Sequence, residues 1–203
     1  MGTLIDTLTE GIGVITWACT LTVLAPGVAL VLVARQARLT VALYYVVGAA
    51  LLAWAPAAGH WSVSARGAAV VIAGLLAAGT YVAAWRAQSH SSPYATGAGI
   101  VGGALAGWLW RPCVGPRLGD ILNEASTDEL RTLALMGVYV AGALLPLLLL
   151  AVLPYAVLAV DRVLDRIPFA IAGAVIGAAY AITLAIGLYD DLIGELYRIS
   201  AGY

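Results

Sequence analysis

The residues best suited to chemistry in this chain are its two cysteines, Cys19 and Cys113. Two thiols are too few for a four-thiolate metal site, but they can form one redox pair that cycles between a dithiol and a disulfide. In such a cycle a thiolate attacks a disulfide, and a mixed disulfide forms as the intermediate. The alternative is that both are buried side chains without a reaction, since free cysteine often packs as a small hydrophobic residue.

The stretch around Cys113 favours the reactive interpretation. Pro112 and Pro116 each remove a backbone donor, and Gly115 loosens the chain between them, which predicts a broken helix around the thiol. Arg111 places a permanent positive charge two residues away in the sequence, and a neighbouring cation favours the thiolate. An alternative role for the arginine is that its long stem reaches a membrane interface.

The composition predicts an all-α, polytopic membrane protein with a single membrane domain over residues 1–203. Hydrophobic residues make up 63% of the chain, charged residues only 10%, and the mean hydropathy is +0.97. Soluble domains carry about 25% charged residues. A net charge of −1 gives no reason to expect a nucleic-acid partner. His60 and His90 fall in opposite predicted loops as solvated side chains without ligand-spaced companions, so neither a metal nor another cofactor is expected.

Six apolar segments follow one another between the charged residues, and each has about the 20 residues that a membrane-spanning helix needs. They cover residues 11–34, 39–65, 67–85, 96 to about 113, 132–160 and 167–189. The fifth is too long for one straight span, and Pro146 and Pro154 predict a kink or an early end there.

The six predicted spans divide into two halves of three, repeat one over about 8–86 and repeat two over about 96–190. Because each half has an odd number of spans, the halves have opposite orientations, as in an inverted repeat. The functional site of such repeats tends to lie near the midplane, in interrupted helices. Each half carries one cysteine in its first span, and Pro26-Gly27 is predicted to interrupt span one as residues 112–119 interrupt span four.

The arginines predict that both termini lie on the outer side of the membrane. In this orientation five arginines fall in cytoplasmic loops and four on the outer face, and the first and last inner turns are short and basic. The five are Arg35, Arg38, Arg86, Arg162 and Arg166.

The residues around Cys113 resemble the fourth-span motif of the CcdA/DsbD family, bacterial membrane proteins that carry reducing equivalents across the cytoplasmic membrane. The resemblance rests on Gly107-Trp108 and on residues 112–122, Pro-Cys-Val-Gly-Pro-Arg-Leu-Gly-Asp-Ile-Leu, whose Pro-Cys-x-Gly-Pro centre is specific. Residues 139–146 are similar to the family's Tyr-x-x-Gly-x-x-x-Pro in span five, and residues 45–48, Tyr-Val-Val-Gly, echo it in span two. The length and the six segments resemble the short CcdA form, which lacks the soluble outer domains of DsbD.

The resemblance implies a transmembrane thiol–disulfide oxidoreductase in the bacterial cytoplasmic membrane. Cytoplasmic thioredoxin would reduce a Cys19–Cys113 disulfide, and the dithiol would then reduce an extracytoplasmic thioredoxin-like protein, feeding cytochrome c biogenesis without a bound cofactor. The catalytic pair would be supported by residues of the two predicted helix breaks. These are Arg111, Pro112, Gly115, Pro116 and Pro26.

The chain departs from the family pattern in three places. Cys19 has no proline beside it, and Arg111 stands where the family commonly has threonine. One residue more separates Trp108 from Pro112 than the family pattern requires, which makes Trp110 the alternative counterpart of the family's tryptophan. Two other function classes therefore stay open. One is a small-solute transporter, and the other is a non-catalytic scaffold for a maturation complex.

Overall fold

The computed structural model describes residues 2–15, 18–57, 68–87, 89–110, 128–156 and 167–186, together with residues 188, 191, 195 and 198. The described chain is all-helical, as the composition predicts, and it contains eight helices. They are α1 (Gly2–Gly13), α2 (Ala18–Val33), α3 (Arg38–Ala57), α4 (Ala68–Arg86), α5 (Pro93–Leu109), α6 (Glu129–Ala143), α7 (Leu145–Ala156) and α8 (Ile167–Ala185).

The first apolar segment, residues 11–34, contains the last three residues of α1 and the whole of α2. α1 ends at Gly13 and α2 begins at Ala18, so the break falls immediately before Cys19. The buried Thr20 hydroxyl donates to the Val14 carbonyl at 2.7 Å and ties the two sides of the break together. The predicted interruption at Pro26-Gly27 is wrong, because α2 continues through Pro26.

Hydrogen bonds from neighbouring helices accompany the proline inside α2. The Tyr45 hydroxyl of α3 donates to the Val23 carbonyl at 2.6 Å, and the Tyr81 hydroxyl of α4 donates to the Pro26 carbonyl at 3.2 Å. A helix that contains proline is tolerated in an apolar environment when neighbours satisfy the backbone groups around it. The two tyrosines therefore hold the middle of α2 from two sides.

The fifth apolar segment bends as predicted. α6 and α7 meet at an angle of 64°, with the break at Leu144, two residues before Pro146, whereas Pro154 lies inside α7 without interrupting it. No single helix within the described ranges is long and apolar enough to cross a membrane, and α6 with α7 meets that criterion only as a bent pair.

Short polar caps begin the two helices that open the second half. At α5 the Ser92 side chain accepts from the Tyr94 backbone N–H, and Pro93 occupies the first turn, where its missing N–H costs no helical bond. At α6 the Asp128 carboxylate accepts from the Arg131 backbone N–H at 3.0 Å.

Helices α3 and α5 pack in parallel through glycines spaced four residues apart. Gly99, Gly103 and Gly107 of α5 face the backbone of Val41, Tyr45 and Ala49 of α3, respectively. A Cβ atom on Gly99 would lie 2.7 Å from the Val41 carbonyl oxygen, and Gly103 and Gly107 leave even less room. Small residues at such positions let helix backbones approach closely.

Helices α1 and α6 cross in the same way. Gly11 faces the backbone of Tyr139, and Gly142 faces that of Leu8, where a Cβ atom would lie 2.6 Å from the carbonyl oxygen. Both crossings share one pattern. The tyrosine of a Tyr-x-x-Gly motif contacts a glycine of the partner helix, and the glycine of the motif contacts the partner residue three positions before that glycine. The corresponding residues of the first crossing are Tyr45 and Gly48 on α3, and Gly103 and Ile100 on α5.

Candidate functional site

The structure describes only part of the predicted redox site. The backbone of Cys19 lies in the first turn of α2, immediately after the break that ends α1. Cys113 lies outside the described residues, as do the supporting residues Arg111, Pro112, Gly115 and Pro116. Pro26 is buried within α2, one residue before the closely packed Gly27.

The position of Cys19 at the start of a helix has a chemical consequence. The first backbone N–H groups of a helix have no helical acceptor, and together with the helix dipole they stabilise a nearby negative charge. The break before α2 therefore places the backbone of Cys19 among N–H groups that have no helical acceptor.

Trp110 is the last described residue before Cys113, and its buried side chain packs against α6. α5 ends at Leu109, and Trp110 adopts an extended conformation with φ −70° and ψ 124°. Its buried indole stacks on the ring of Tyr139 in α6, with centroids 6.2 Å apart and planes inclined by 24°. The chain thus leaves α5 at a buried anchor three residues before Cys113 in the sequence.

Tyr45 and Tyr139 occupy corresponding places in the two halves. The backbone carbonyl of each tyrosine faces a glycine on a helix of the other half. The side chain of each tyrosine contacts the cysteine-bearing segment of its own half. Tyr45 reaches Val23, four residues after Cys19, and Tyr139 reaches Trp110. The tyrosines therefore link the crossings to the segments that carry the thiols.

The hydroxyls of Tyr45 and Tyr139 differ in their hydrogen bonding. Removing each hydroxyl is therefore expected to change the free energy of unfolding by a different amount. Tyr45 donates to Val23, whereas the buried Tyr139 hydroxyl has no hydrogen-bond partner among the described residues. We expect Tyr45→Phe to lower the free energy of unfolding by about 1 kcal/mol, the net worth of a typical hydrogen bond. Tyr139→Phe should leave it unchanged or raise it slightly. Unfolding of both variants in the same detergent measures the difference, and equal losses would contradict it.

His90 belongs to a small polar cluster at one end of the bundle. It is exposed, as predicted, but the Tyr155 hydroxyl of α7 lies 3.0 Å from its Nε2, and Thr40 Oγ1 of α3 lies 3.4 Å from its Nδ1. These contacts join the chain between α4 and α5 to α3 and α7. His60 lies outside the described residues.

The same end of the bundle carries arginine. Arg35 follows α2, Arg38 begins α3 and Arg86 ends α4. Arg38 is not the loop residue that the sequence predicts, because its side chain is only 2% exposed. None of the acidic residues in the described ranges lies at this end. They lie in α1, at the start of α6 and after α8, and are Asp6, Glu10, Asp128, Glu129, Asp191 and Glu195.

The sequence did not predict that the Tyr45 and Tyr81 hydroxyls donate hydrogen bonds to backbone carbonyls of α2. A signal was available, because a tyrosine inside an apolar helix needs a partner for its hydroxyl. The signal does not say which carbonyl receives the bond, since that depends on how the helices pack.

Comparison of the chain with protein-family models, with curated proteins and with solved structures finds no match. The family resemblance around Cys113 therefore rests on the sequence motif alone.

Proposed function

We propose that the chain is a polytopic membrane protein whose two halves, about 8–86 and 96–190, are inverted three-span repeats. In this arrangement the first span contains the end of α1 and the whole of α2, α6 and α7 share the fifth, and the other four spans contain α3, α4, α5 and α8. Both termini lie outside, in the bacterial cytoplasmic membrane.

The outward faces of α4 and α8 support a lipid environment. Large apolar side chains on these helices are extensively exposed, among them Leu75 at 68%, Val175 at 62% and Ile182 at 58%. Soluble monomers rarely expose large contiguous apolar patches. Acyl chains would cover such faces.

The two glycine crossings support the repeat. Gly103 meets Tyr45 as Gly11 meets Tyr139, and Gly48 meets Ile100 as Gly142 meets Leu8. Each crossing joins the second span of one half to the first span of the other, as a two-fold axis between the halves requires. Within the described ranges three arginines, Arg35, Arg38 and Arg86, lie at one end of the bundle and two, Arg131 and Arg198, at the other. The positive-inside rule places the end with more arginines in the cytoplasm.

The protein's function, on this proposal, is transmembrane thiol–disulfide exchange. The observation that carries it is the break before α2, which puts Cys19 at a helix start in the same half-repeat position as the Pro-Cys-x-Gly-Pro motif after α5. Cytoplasmic thioredoxin delivers two electrons and two protons as its dithiol becomes a disulfide, and the Cys19–Cys113 disulfide becomes a dithiol. The dithiol then reduces an extracytoplasmic thioredoxin-like protein of the cytochrome c maturation pathway.

Thiol trapping tests this function. In membranes that contain thioredoxin without its resolving cysteine, the protein should form a mixed disulfide with it. We expect either Cys19→Ala or Cys113→Ala to abolish this adduct, because each variant lacks the disulfide that thioredoxin attacks. Non-reducing electrophoresis with mass spectrometry of the linked peptides measures it.

The control is the double variant, which has no thiol and must form no adduct. An adduct that persists in one single-cysteine variant would have to come from a disulfide between the remaining cysteine and another molecule, which would contradict the pairing. Absence of any adduct with the wild-type protein would leave the non-catalytic scaffold or the transporter as the better assignment.

A further inference from the structure

A groove runs between α4 and α8 toward the arginine end of the bundle. It encloses about 520 Å³ and is lined mainly by apolar side chains. The lining residues are Val33, Ala78, Tyr81, Val82, Trp85, Arg86, Ala174, Gly177, Ala178 and Ala181.

Tyr81 in this groove contacts both α2 and α8. Its hydroxyl donates to the Pro26 carbonyl of α2, so the polar end of Tyr81 is directed away from the opening. Its ring lies against Gly177, where an added Cβ atom would be 2.6 Å from a ring carbon. The groove is therefore part of the folded packing of α2, α4 and α8.

One end of the groove carries a positive charge. Arg86 is the last residue of α4, its side chain is exposed, and it has no carboxylate partner within the described ranges. Trp85 beside it is 60% exposed, and tryptophan is enriched where hydrocarbon meets lipid headgroups. An apolar channel thus ends at a cation and an interfacial aromatic ring.

We infer that this groove binds an anionic phospholipid, with an acyl chain along α8 and the phosphate at Arg86. The inference rests on the proposed membrane location and adds a lipid site to it. The groove opens on a face of exposed apolar side chains, so a bilayer lipid reaches it sideways, and its wall residues Ala174 and Ala178 leave room for a chain. Basic pockets between helices on the cytoplasmic side bind anionic headgroups.

Native mass spectrometry of the protein purified from membranes tests the site. The probes are phosphatidylglycerol and phosphatidylcholine with identical acyl chains, added at equal concentration. We expect the wild-type protein to retain phosphatidylglycerol about fivefold more than phosphatidylcholine, the effect of one arginine near the headgroup. Arg86→Gln should remove this preference, whereas Arg35→Gln, at the same end but outside the groove, should keep it.

A second pair of variants tests the acyl chain. Ala178→Leu fills the groove and should reduce retention of both lipids, whereas Ala179→Leu on the adjoining exposed position should not. Equal retention of both lipids by the wild type, or unchanged retention in Ala178→Leu, would overturn the lipid site. Neither result concerns the thiols, so thiol trapping can still succeed. A protein that does not fractionate with membranes would instead overturn the membrane proposal itself.

Discussion

Gly103→Ala should destabilise the protein by about 3 kcal/mol, at the upper end of typical overpacking costs. The new Cβ atom would strike the carbonyl oxygen, carbonyl carbon and Cα of Tyr45, with 2.8 Å to the latter two. All three are backbone atoms, so no side-chain rotation can relieve the clash. Separating α5 from α3 would also disturb Gly99 and Gly107, which make the same close approach one turn away on either side.

Gly97→Ala is the matched control on the same helix. Gly97 is exposed, and an added Cβ atom meets nothing within 4 Å. Alanine is the better helix former, so this change should stabilise the protein by up to about 1 kcal/mol. The midpoint of thermal unfolding in detergent should therefore fall by roughly 10 °C in Gly103→Ala and stay level or rise in Gly97→Ala. Equal midpoints would show that α3 and α5 do not pack through this face.

Gly11→Ala should have a similar effect at the other crossing. Its Cβ atom would strike the Tyr139 carbonyl and lie 3.2 Å from the Ala143 backbone nitrogen. We expect a loss of about 2–3 kcal/mol in the free energy of unfolding, because the obstacle is again backbone. α1 would move away from α6, and the break that precedes Cys19 would move with it.

Gly13→Ala supplies the control two residues away in α1. No atom lies within 4 Å of its added Cβ, so the free energy of unfolding should change by less than about 1 kcal/mol. If Gly11→Ala proves as mild as Gly13→Ala while Gly103→Ala is severe, the two crossings are not equivalent. That result would count against the inverted repeat.

Much of the helical framework could be predicted from the sequence because charge and proline act locally. The arginines before α3 and at the end of α4 delimit apolar runs, and Pro146 marks a bend because proline lacks the N–H that continues a helix. These features need no knowledge of the neighbouring helices.

The break before Cys19 could not be predicted, because residues 11–34 form one uncharged run. Residues 14–17, Val-Ile-Thr-Trp, follow two glycines and are β-branched or aromatic, but each lowers helix propensity by only a few tenths of a kcal/mol. Pro26 was the stronger local indication of a helix break, but α2 continues through it. Tyr45 and Tyr81 reach α2 from other helices and support it there, which is a tertiary effect.

The central claim is that Cys19 forms a disulfide with Cys113. Disulfide mapping of the purified wild-type protein tests this claim most directly. After mild oxidation in detergent, non-reducing digestion and mass spectrometry should yield one peptide pair joined through Cys19 and Cys113 within a single chain. Added reduced thioredoxin should convert that bond to two free thiols as its own dithiol becomes a disulfide. Two free thiols after oxidation, or a disulfide only between separate chains, would contradict the proposed redox centre.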